Sequence, residues 1–163
     1  MPAANDRKPV TIRCAFNTDL EAVLQLDQEL IRHDLRFDPT LDPDWSFSEE
    51  GMAWFRERIA GKDGIVVVAV CEGDLVGYLC GGRCEAESYR RTRPMGEVDC
   101  MFLREEFRGR GVGEKMIERF REWCAENGIG RIRVVACAGS AHAIRFYRRM
   151  GFEPYDLVLE RTV

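Results

Sequence analysis

The sequence Arg108-Gly109-Arg110-Gly111-Val112-Gly113 lies between a strand-like segment, Glu97 to Arg104, and a run of apolar residues at helical spacing that starts at Val112. Glycines at alternate positions permit positive φ angles and let the backbone approach a bulky group closely. The N-terminus of the helix that follows presents unpaired N–H groups and the positive end of the helix dipole. The stretch therefore predicts a strand, turn and helix that bind a pyrophosphate, although glycine turns also form for purely steric reasons.

Two known nucleotide-binding loops do not fit this turn. The last glycine of G-x-G-x-x-G would fall at Glu114, and no Gly-Lys-Ser or Gly-Lys-Thr follows. A dinucleotide-binding fold also places its glycine loop after the first strand of its unit. Here two predicted strands joined by a tight turn, 65–71 and 75–80, come first, so the turn fits a dinucleotide-binding loop poorly, and the missing Gly-Lys-Ser or Gly-Lys-Thr makes it an equally poor fit to a P-loop.

Hydrophobic periodicity predicts the elements on either side of the turn. One helix contains Asp27 on its apolar face, and we expect this carboxylate either at the solvated edge of that face or facing a substrate cleft. Ser48 is expected to cap the second helix. Strands are predicted at 10–15, 65–71, 75–80, 97–104, 131–137 and 156–161, and helices at 18–32, 48–60, 112–127 and 141–150.

Length and composition indicate one globular domain over residues 1–163, with residues 1–9 expected to be flexible. The chain has 163 residues, of which 45% are hydrophobic and 32% are charged. Its net charge of −4 argues against nucleic-acid binding through a broad basic surface. No apolar segment approaches membrane-spanning length and none near the start resembles a signal peptide. These features, with an odd number of cysteines, predict a cytoplasmic protein with reduced thiols that neither enters membranes nor binds metal.

Two motifs in this sequence resemble those of the GNAT superfamily of N-acetyltransferases. The acetyl-CoA signature, Arg/Gln-x-x-Gly-x-Gly/Ala, is matched by Arg108, Gly111 and Gly113. A second signature is matched downstream by Ala143, Phe146, Tyr147, Gly151 and Phe152. Ser140 stands where the family usually has Asn, which removes an amide hydrogen bond, but a serine is able to cap the helix.

The resemblance spans nearly the whole chain and implies an α+β fold. This fold is an α/β/α layered structure with a mixed, mainly antiparallel sheet that is split between its fourth and fifth strands. Acetyl-CoA, as cosubstrate, would lie in the split, with its pantetheine along the fourth strand and its pyrophosphate on the glycine turn. The cofactor-binding residues implied are Met101, Phe102, Leu103, Arg108, Gly109, Arg110, Gly111, Val112, Gly113, Ser140, Ala143 and Phe146.

Acetyl transfer to an amine requires a neutral amine, a polarised thioester carbonyl and a proton for the departing thiolate. The resemblance implies a general base at Glu97 or, as second choice, at Asp99, which lies two residues further along the predicted strand. Either carboxylate could instead be a surface group paired with arginine. Tyr147 matches the family tyrosine that protonates the thiolate, and a phenol is protonated at neutral pH. It could alternatively be a core residue that packs behind Phe146.

The predicted activity is N-acetylation of a primary amine on a small molecule or peptide, by direct transfer in a ternary complex. The acidic segment 34–50 could receive a cationic acceptor or could simply be solvated. The basic segment 89–93 could instead bind an acidic group of the acceptor. The alternative to an enzyme is a CoA-binding sensor or interaction module of the same fold. The resemblance also implies a homodimer.

Overall fold

The computed structural model describes residues 8–91 and 94–163. In chain order, the strands are β1 (Thr11–Cys14), β2 (Gly64–Cys71), β3 (Asp74–Cys84), β4 (Met95–Leu103) and β5 (Arg131–Val134). The helices are α1 (Leu20–Asp34), α2 (Glu49–Ile59), α3 (Val112–Glu126) and α4 (Ala141–Arg149). Short 3-10 helices cover Asn17–Asp19, Trp45–Phe47 and Glu105–Phe107.

These strands form one mixed sheet in the order β1-β2-β3-β4-β5. The first four strands pair antiparallel, whereas β4 and β5 run parallel. The parallel pairing joins Met95–Val98 to Arg131–Val134, so residues 99–103 of β4 continue beyond it. The two strands thus separate at one end of the sheet, and the predicted α+β fold with a split between the fourth and fifth strands is confirmed.

Helices cover both faces of the sheet, because alternate strand residues point in opposite directions. Val67 and Leu79 pack with Met116 and Phe120 of α3 on one face. On the other face, Val66 and Tyr78 pack with residues of α1 and α2, among them Leu26 and Phe55. Ser48 caps α2 as predicted, since its hydroxyl accepts a hydrogen bond from the N–H of Gly51 at 3.0 Å.

A β-bulge interrupts β4 at Asp99. Cys100 pairs with Cys80 and Val98 pairs with Gly81, so Asp99 is an extra residue without a counterpart on β3. After the bulge, Met101 packs on the α3 side of the sheet and Cys100 on the side of α1 and α2. The alternation therefore breaks between Asp99 and Cys100, whereas Glu97 and Asp99 lie on one face, opposite to Val98, which packs on the α3 side.

The predicted C-terminal strand at 156–161 is wrong. Residues 152–163 have no regular secondary structure, and Leu157, Val158 and Leu159 are 75–82% exposed. Alternation of apolar and polar residues is not sufficient for a strand, because the backbone must also form hydrogen bonds with a neighbouring strand in register. β5 ends at Val134, three residues earlier than predicted. The expected flexibility of residues 1–9 falls mostly outside the described residues, and dimerisation stays a prediction.

Candidate active site

A cavity of about 870 Å³ opens where β4 and β5 separate. Four parts of the chain surround it: the last turn of α1, the second half of β4, the glycine turn before α3, and the segment from β5 into α4. Of the predicted site residues, those in its wall are Asp99, Met101, Phe102, Leu103, Arg108, Gly109, Gly113, Ser140, Ala143, Phe146 and Tyr147. Glu97, Arg110, Gly111 and Val112 are outside this wall.

The glycine turn has the backbone conformation that its composition predicts. Gly109 and Gly111 have φ angles of +66° and +76°, and Gly111 is the N-cap of α3. A Cβ at either position would meet nothing within 4 Å, so strain and not packing requires glycine there. At Gly113 the constraint is packing, because a Cβ would lie 3.1 Å from the Phe146 ring. The turn thus leaves room for a ligand at the N-terminus of α3.

The two arginines of the turn do not point into open space. The Arg108 guanidinium donates from Nε to the carbonyl of Leu103 at 2.7 Å, which ties the turn to the end of β4. Arg110 donates to the carbonyl of Lys8 at 2.6 Å and lies over the ring of Phe107. One hydrogen bond thus fixes the position of each guanidinium, and the first backbone N–H groups of α3 have no partner within the helix.

Asp99 is the acidic residue of β4 that reaches the cavity. Its carboxylate lies 3.2 Å from the guanidinium of Arg58 on α2. Burial raises the pKa of Asp99 to about 6, against the lowering effect of Arg58. This pKa already includes a smaller raising effect of Glu97, since two like charges on one strand repel, and a lowering effect of Arg133. Asp99 can therefore accept a proton close to neutral pH.

Glu97 is held in an ion pair with β5. Both Nε and a terminal nitrogen of Arg133 contact its Oε2, at 3.0 Å and 2.9 Å. Arg133 also lies 3.5 Å from Glu87, so Glu97 belongs to a network of charges at the paired end of β4 and β5. Its carboxylate is engaged there, outside the cavity wall.

Tyr147 faces the cavity from α4. Its ring makes edge contacts with Phe146 and Phe152, at centroid distances of 5.3 Å and 5.7 Å. Burial raises the pKa of Tyr147 to about 12, with smaller contributions from Cys100 and Asp34. The phenol is therefore protonated at neutral pH, and it can donate a proton to a group in the cavity.

Ser140 and Ala143 lie at the start of α4, beside the cavity. Ser140 is buried, but its side chain makes no capping hydrogen bond. Its carbonyl instead accepts the N–H of Ile144 at 3.0 Å, so the expected serine cap of this helix is not formed.

The contribution of α1 to the cavity was not predicted from the sequence. The side chains of His33 and Asp34 lie in its wall, and Asp34 accepts a hydrogen bond from His33 Nδ1 at 2.8 Å. Phe37 follows on the same turn, close to Gly139 of the segment before α4. No local pattern separates these residues from an ordinary helix end, and a lone histidine beside an aspartate was the only available signal.

The Asp27 carboxylate is neither solvated nor in the cleft, so both expectations for it were wrong. It is 3% exposed and accepts hydrogen bonds from Ser46 and Tyr78, each at 2.5 Å. Burial raises the pKa of Asp27, while these hydrogen bonds act in the opposite direction. The carboxylate connects α1 to the 3-10 helix Trp45–Phe47 and to β3.

Two charged segments were candidates for acceptor binding. In the acidic segment 34–50, Asp44 bonds to Gln28 at 3.0 Å and Asp38 bonds to Thr40, so part of the charge is used within the segment and its neighbour α1. In the basic segment 89–93, Arg90 lies over the ring of Tyr155. Thr92 and Arg93 are outside the described residues.

Among the helices of residues 8–91 and 94–163, none has the length and apolar character that crossing a membrane requires. In the same part of the chain, no group of three or more His, Cys, Asp or Glu side chains is arranged to hold a metal ion. The seven cysteines are all free.

Comparisons with known proteins show the family and the fold of this chain. The model of the acetyltransferase (GNAT) family matches residues 28–152. An uncharacterised N-acetyltransferase of Methanocaldococcus jannaschii is 28% identical over 97% of this chain and 67% of its own length. Spermine/spermidine N(1)-acetyltransferase of Bacillus subtilis is 35% identical over 50% of this chain and 55% of its own length. The chain thus spans only part of the length of these relatives.

Solved structures share the fold at low sequence identity. The protein BH1408 of Bacillus halodurans, as a mutant, has a TM-score of 0.76 and 19% identity over 94% of this chain and 99% of its own. The aminoglycoside acetyltransferase AAC(6')-Iy, in complex with a CoA bisubstrate analogue, has a TM-score of 0.74 and 17% identity over 95% and 99%. The resemblance inferred from the two sequence motifs is confirmed.

Proposed function

Because the chain belongs to the acetyltransferase (GNAT) family, we propose that it transfers an acetyl group from acetyl-CoA directly to a primary amine. The observation that supports this function best is the composition of one cavity. A glycine turn at a helix N-terminus, a carboxylate with a raised pKa and a buried tyrosine all line the same space. A group that binds phosphate, a proton acceptor and a proton donor are what this reaction requires.

The residues present fit CoA. Gly109 and Gly111 leave open space where a side chain would stand, directly before the first N–H groups of α3. We assign the pyrophosphate to the backbone from Gly109 to Gly113, because free N–H groups at a helix N-terminus bind anions, whereas the N–H of Arg108 already donates to the carbonyl of Glu105 at 3.0 Å. We assign the pantetheine to β4 at Met101–Leu103, beyond its pairing with β5. CoA would bring the thioester, and the chain supplies proton transfer and orientation.

Asp99 is the better placed of the two candidate bases. It lines the cavity, and its raised pKa of about 6 suits a proton acceptor that works near neutral pH. Glu97 remains the alternative, and it would have to act through water, because Arg133 occupies its carboxylate. A comparison of Asp99→Asn with Glu97→Gln distinguishes the two candidate bases. A strong loss of turnover is expected only for the variant in which the base itself is replaced.

Tyr147 is the proposed donor to the departing thiolate. Its hydroxyl stays protonated because burial raises its pKa to about 12. The carbonyl of the thioester would be polarised by a backbone N–H of β4 near Phe102 or Leu103. No side chain is needed for that step.

The proposed acceptor is a primary amine of a small molecule or peptide. Relatives and structural neighbours include enzymes named for spermine, spermidine and aminoglycosides, which makes polyamines and aminoglycosides the first compounds to test. The cavity wall carries the carboxylates of Asp34 and Asp99, which can contact a cationic acceptor, whereas Glu29 is held by Arg104 in the same wall. We propose direct transfer in a ternary complex, because the groups proposed to bind CoA and those proposed to transfer protons line one cavity.

The decisive experiment follows thiol release from acetyl-CoA across polyamines, aminoglycosides, amino acids and peptide N-termini, with CoA binding measured by calorimetry. Release that depends on the acceptor would establish the activity and identify the acceptor class. Binding of CoA without release for any amine would favour a CoA sensor of the same fold. Absence of CoA binding would contradict the assignment of the glycine turn.

A further inference from the structure

Cys80 of β3 and Cys100 of β4 are neighbouring free thiols beside the cavity. The two residues are partners in the antiparallel register, directly after the bulge at Asp99. Both side chains belong to the hydrophobic cluster on the side of α1 and α2, so their sulfur atoms lie on the same face of the sheet. Opposite residues of an antiparallel pair have Cα atoms about 4.5–5.5 Å apart, within the range of about 4.4–6.8 Å that a disulfide bond spans. The backbone thus holds this pair at a separation that permits a disulfide.

The two thiols differ in their access to the cavity. Cys100 lines the cavity wall and is half-buried, whereas Cys80 is 0% exposed. Burial, and then the adjacent Cys100 thiol, raise the pKa of Cys80 well above its ordinary value. A reagent in the cavity therefore meets Cys100 first, and Cys80 is placed to react with a group that is already attached to Cys100.

The proposed function brings the sulfur of CoA close to Cys100. Cys100 directly precedes Met101–Leu103, the segment of β4 that is assigned to pantetheine. Tyr147, the proposed proton donor to the departing thiolate, lines the same cavity, and Cys100 contributes, after burial, to its raised pKa. The thiol of the cofactor and the thiol of Cys100 would thus lie near each other, as thiol–disulfide exchange between them requires.

We propose that Cys100 is a site of thiol–disulfide exchange with oxidised CoA, and that Cys80 then displaces the attached CoA by forming a disulfide between β3 and β4. The ligand is the symmetric disulfide of CoA, and one half of it would occupy the cavity as acetyl-CoA does. This inference rests on the CoA site of the proposed function, but it requires no acceptor amine. Cys100 reacts in the first step and Cys80 in the second.

Both steps exchange thiols and disulfides, and CoA disulfide is the only oxidant. In the first step, the Cys100 thiol loses its proton and its sulfur bonds to the sulfur of the bound half. The sulfur–sulfur bond of the ligand breaks, and the other half leaves as a thiolate that takes up a proton. In the second step, the Cys80 sulfur bonds to the Cys100 sulfur, and the attached CoA leaves as a thiol in the same way. Two cysteine thiols thus lose two electrons in total, and one CoA disulfide becomes two CoA thiols.

The position of Cys80 compensates for its small thiolate fraction. A thiolate is the attacking species, so the raised pKa of Cys80 slows the second step. A well-oriented neighbouring group, however, acts at an effective concentration of about 10⁵–10⁸ M, which a thiol in solution cannot match. The CoA attached to Cys100 would exclude acetyl-CoA, whereas a disulfide between Cys80 and Cys100 releases that CoA. The pair would therefore clear the cavity after its modification by oxidised CoA.

Mass spectrometry of the intact protein and of its non-reduced peptides, after incubation with CoA disulfide, tests the proposal without any acetyl transfer. Wild type should finish with a disulfide between Cys80 and Cys100, whereas Cys80→Ala should retain one CoA on Cys100. Cys100→Ala should form neither product. Cys137→Ala changes another cysteine that lines the cavity and should behave as wild type. Melting curves check that each variant folds.

The exposed Cys14 is an internal reference for reaction outside the cavity. With glutathione disulfide in place of CoA disulfide, Cys14 should react at a similar rate, whereas Cys100 should react at least about 10-fold more slowly, because the cavity no longer binds the reagent. Desulfo-CoA, which lacks the thiol, should protect Cys100 and not Cys14. Absence of the Cys80–Cys100 disulfide in wild type, or equal rates at Cys100 with both reagents, would overturn the proposal. If calorimetry detects no CoA binding, the CoA site of the proposed function fails, which is a distinct result.

Discussion

The carboxylate of Asp99 lies 3.2 Å from the guanidinium of Arg58, so α2 meets β4 at the bulge of that strand. Arg58 is held in place by a 2.9 Å hydrogen bond to the carbonyl of Asp63 and lies over the ring of Trp54. Burial nevertheless outweighs this cation, and the pKa of Asp99 rises to about 6. The carboxylate is therefore charged at neutral pH and close to its titration point.

Replacement of Asp99 by Asn should lower kcat/KM by about 100-fold, because a positioned base contributes about 10²- to 10⁴-fold to the rate. In the wild type, activity should fall as the pH drops below about 6, since the protonated carboxyl cannot accept a proton. The variant should lose this decrease in activity at low pH, which is the acid limb of the pH–rate profile. Steady-state rates from pH 5 to 9 test both points, and a wild-type profile without a limb near pH 6 would exclude Asp99 as the base.

Replacement of Arg58 by Gln should move the acid limb to higher pH. Arg58 lowers the pKa of Asp99 by favouring its charged form, so loss of the cation leaves burial and Glu97 to raise it further. Arg56→Gln, two residues earlier on the exposed side of α2, is the matched control and should leave the limb in place. An unchanged limb in Arg58→Gln would show that the titrating group is not Asp99.

Replacement of Tyr147 by Phe should lower turnover by about 100-fold and leave the affinity for CoA nearly unchanged. The variant removes only the hydroxyl, and the ring contacts with Phe146 and Phe152 remain. Calorimetry with CoA and a melting curve check that binding and folding persist. Wild-type turnover in this variant would remove Tyr147 from the mechanism.

Replacement of Gly111 by Ala should weaken CoA binding and also destabilise the protein by about 1–2 kcal/mol, the cost of a left-handed backbone for an L-residue. Gly128→Ala is the control, because Gly128 also has a positive φ, of +69°, with free space at its Cβ, but follows the far end of α3. Its stability should fall by a similar amount while CoA affinity is kept. Equal affinities in the two variants would contradict a phosphate site at the turn.

Replacement of Tyr78 by Phe should destabilise the protein by about 1–3 kcal/mol, because Asp27 then keeps only part of its hydrogen bonds while buried. Tyr89→Phe, at a residue that is 82% exposed, should change the free energy of unfolding by less than about 0.5 kcal/mol. Urea denaturation measures both. An unchanged free energy of unfolding in Tyr78→Phe would show that the hydrogen bond from Ser46 alone is sufficient for the Asp27 carboxylate.

Features that depend on neighbouring residues could be predicted from the sequence. The apolar spacing from Val112 to Cys124 predicts α3, and the glycines before it predict a turn with positive φ angles. Both are local, because a helix repeats within a few residues and glycine alone adopts such angles without strain. Together with the tyrosine motif in α4, they identified the family and the cofactor strand.

Features that depend on contacts between distant segments were decided only by the tertiary structure. The bulge at Asp99 arises in the pairing of β3 with β4, and the neighbouring elements decide that Glu97 bonds to Arg133 of β5 whereas Asp99 lies beside Arg58 of α2 in the cavity wall. His33 enters the site because α1 ends over β4. The segment 156–161 alternates like a strand, yet it is unpaired. Side-chain partners, desolvation and strand pairing all depend on which segments meet in space. A local sequence pattern does not contain that information.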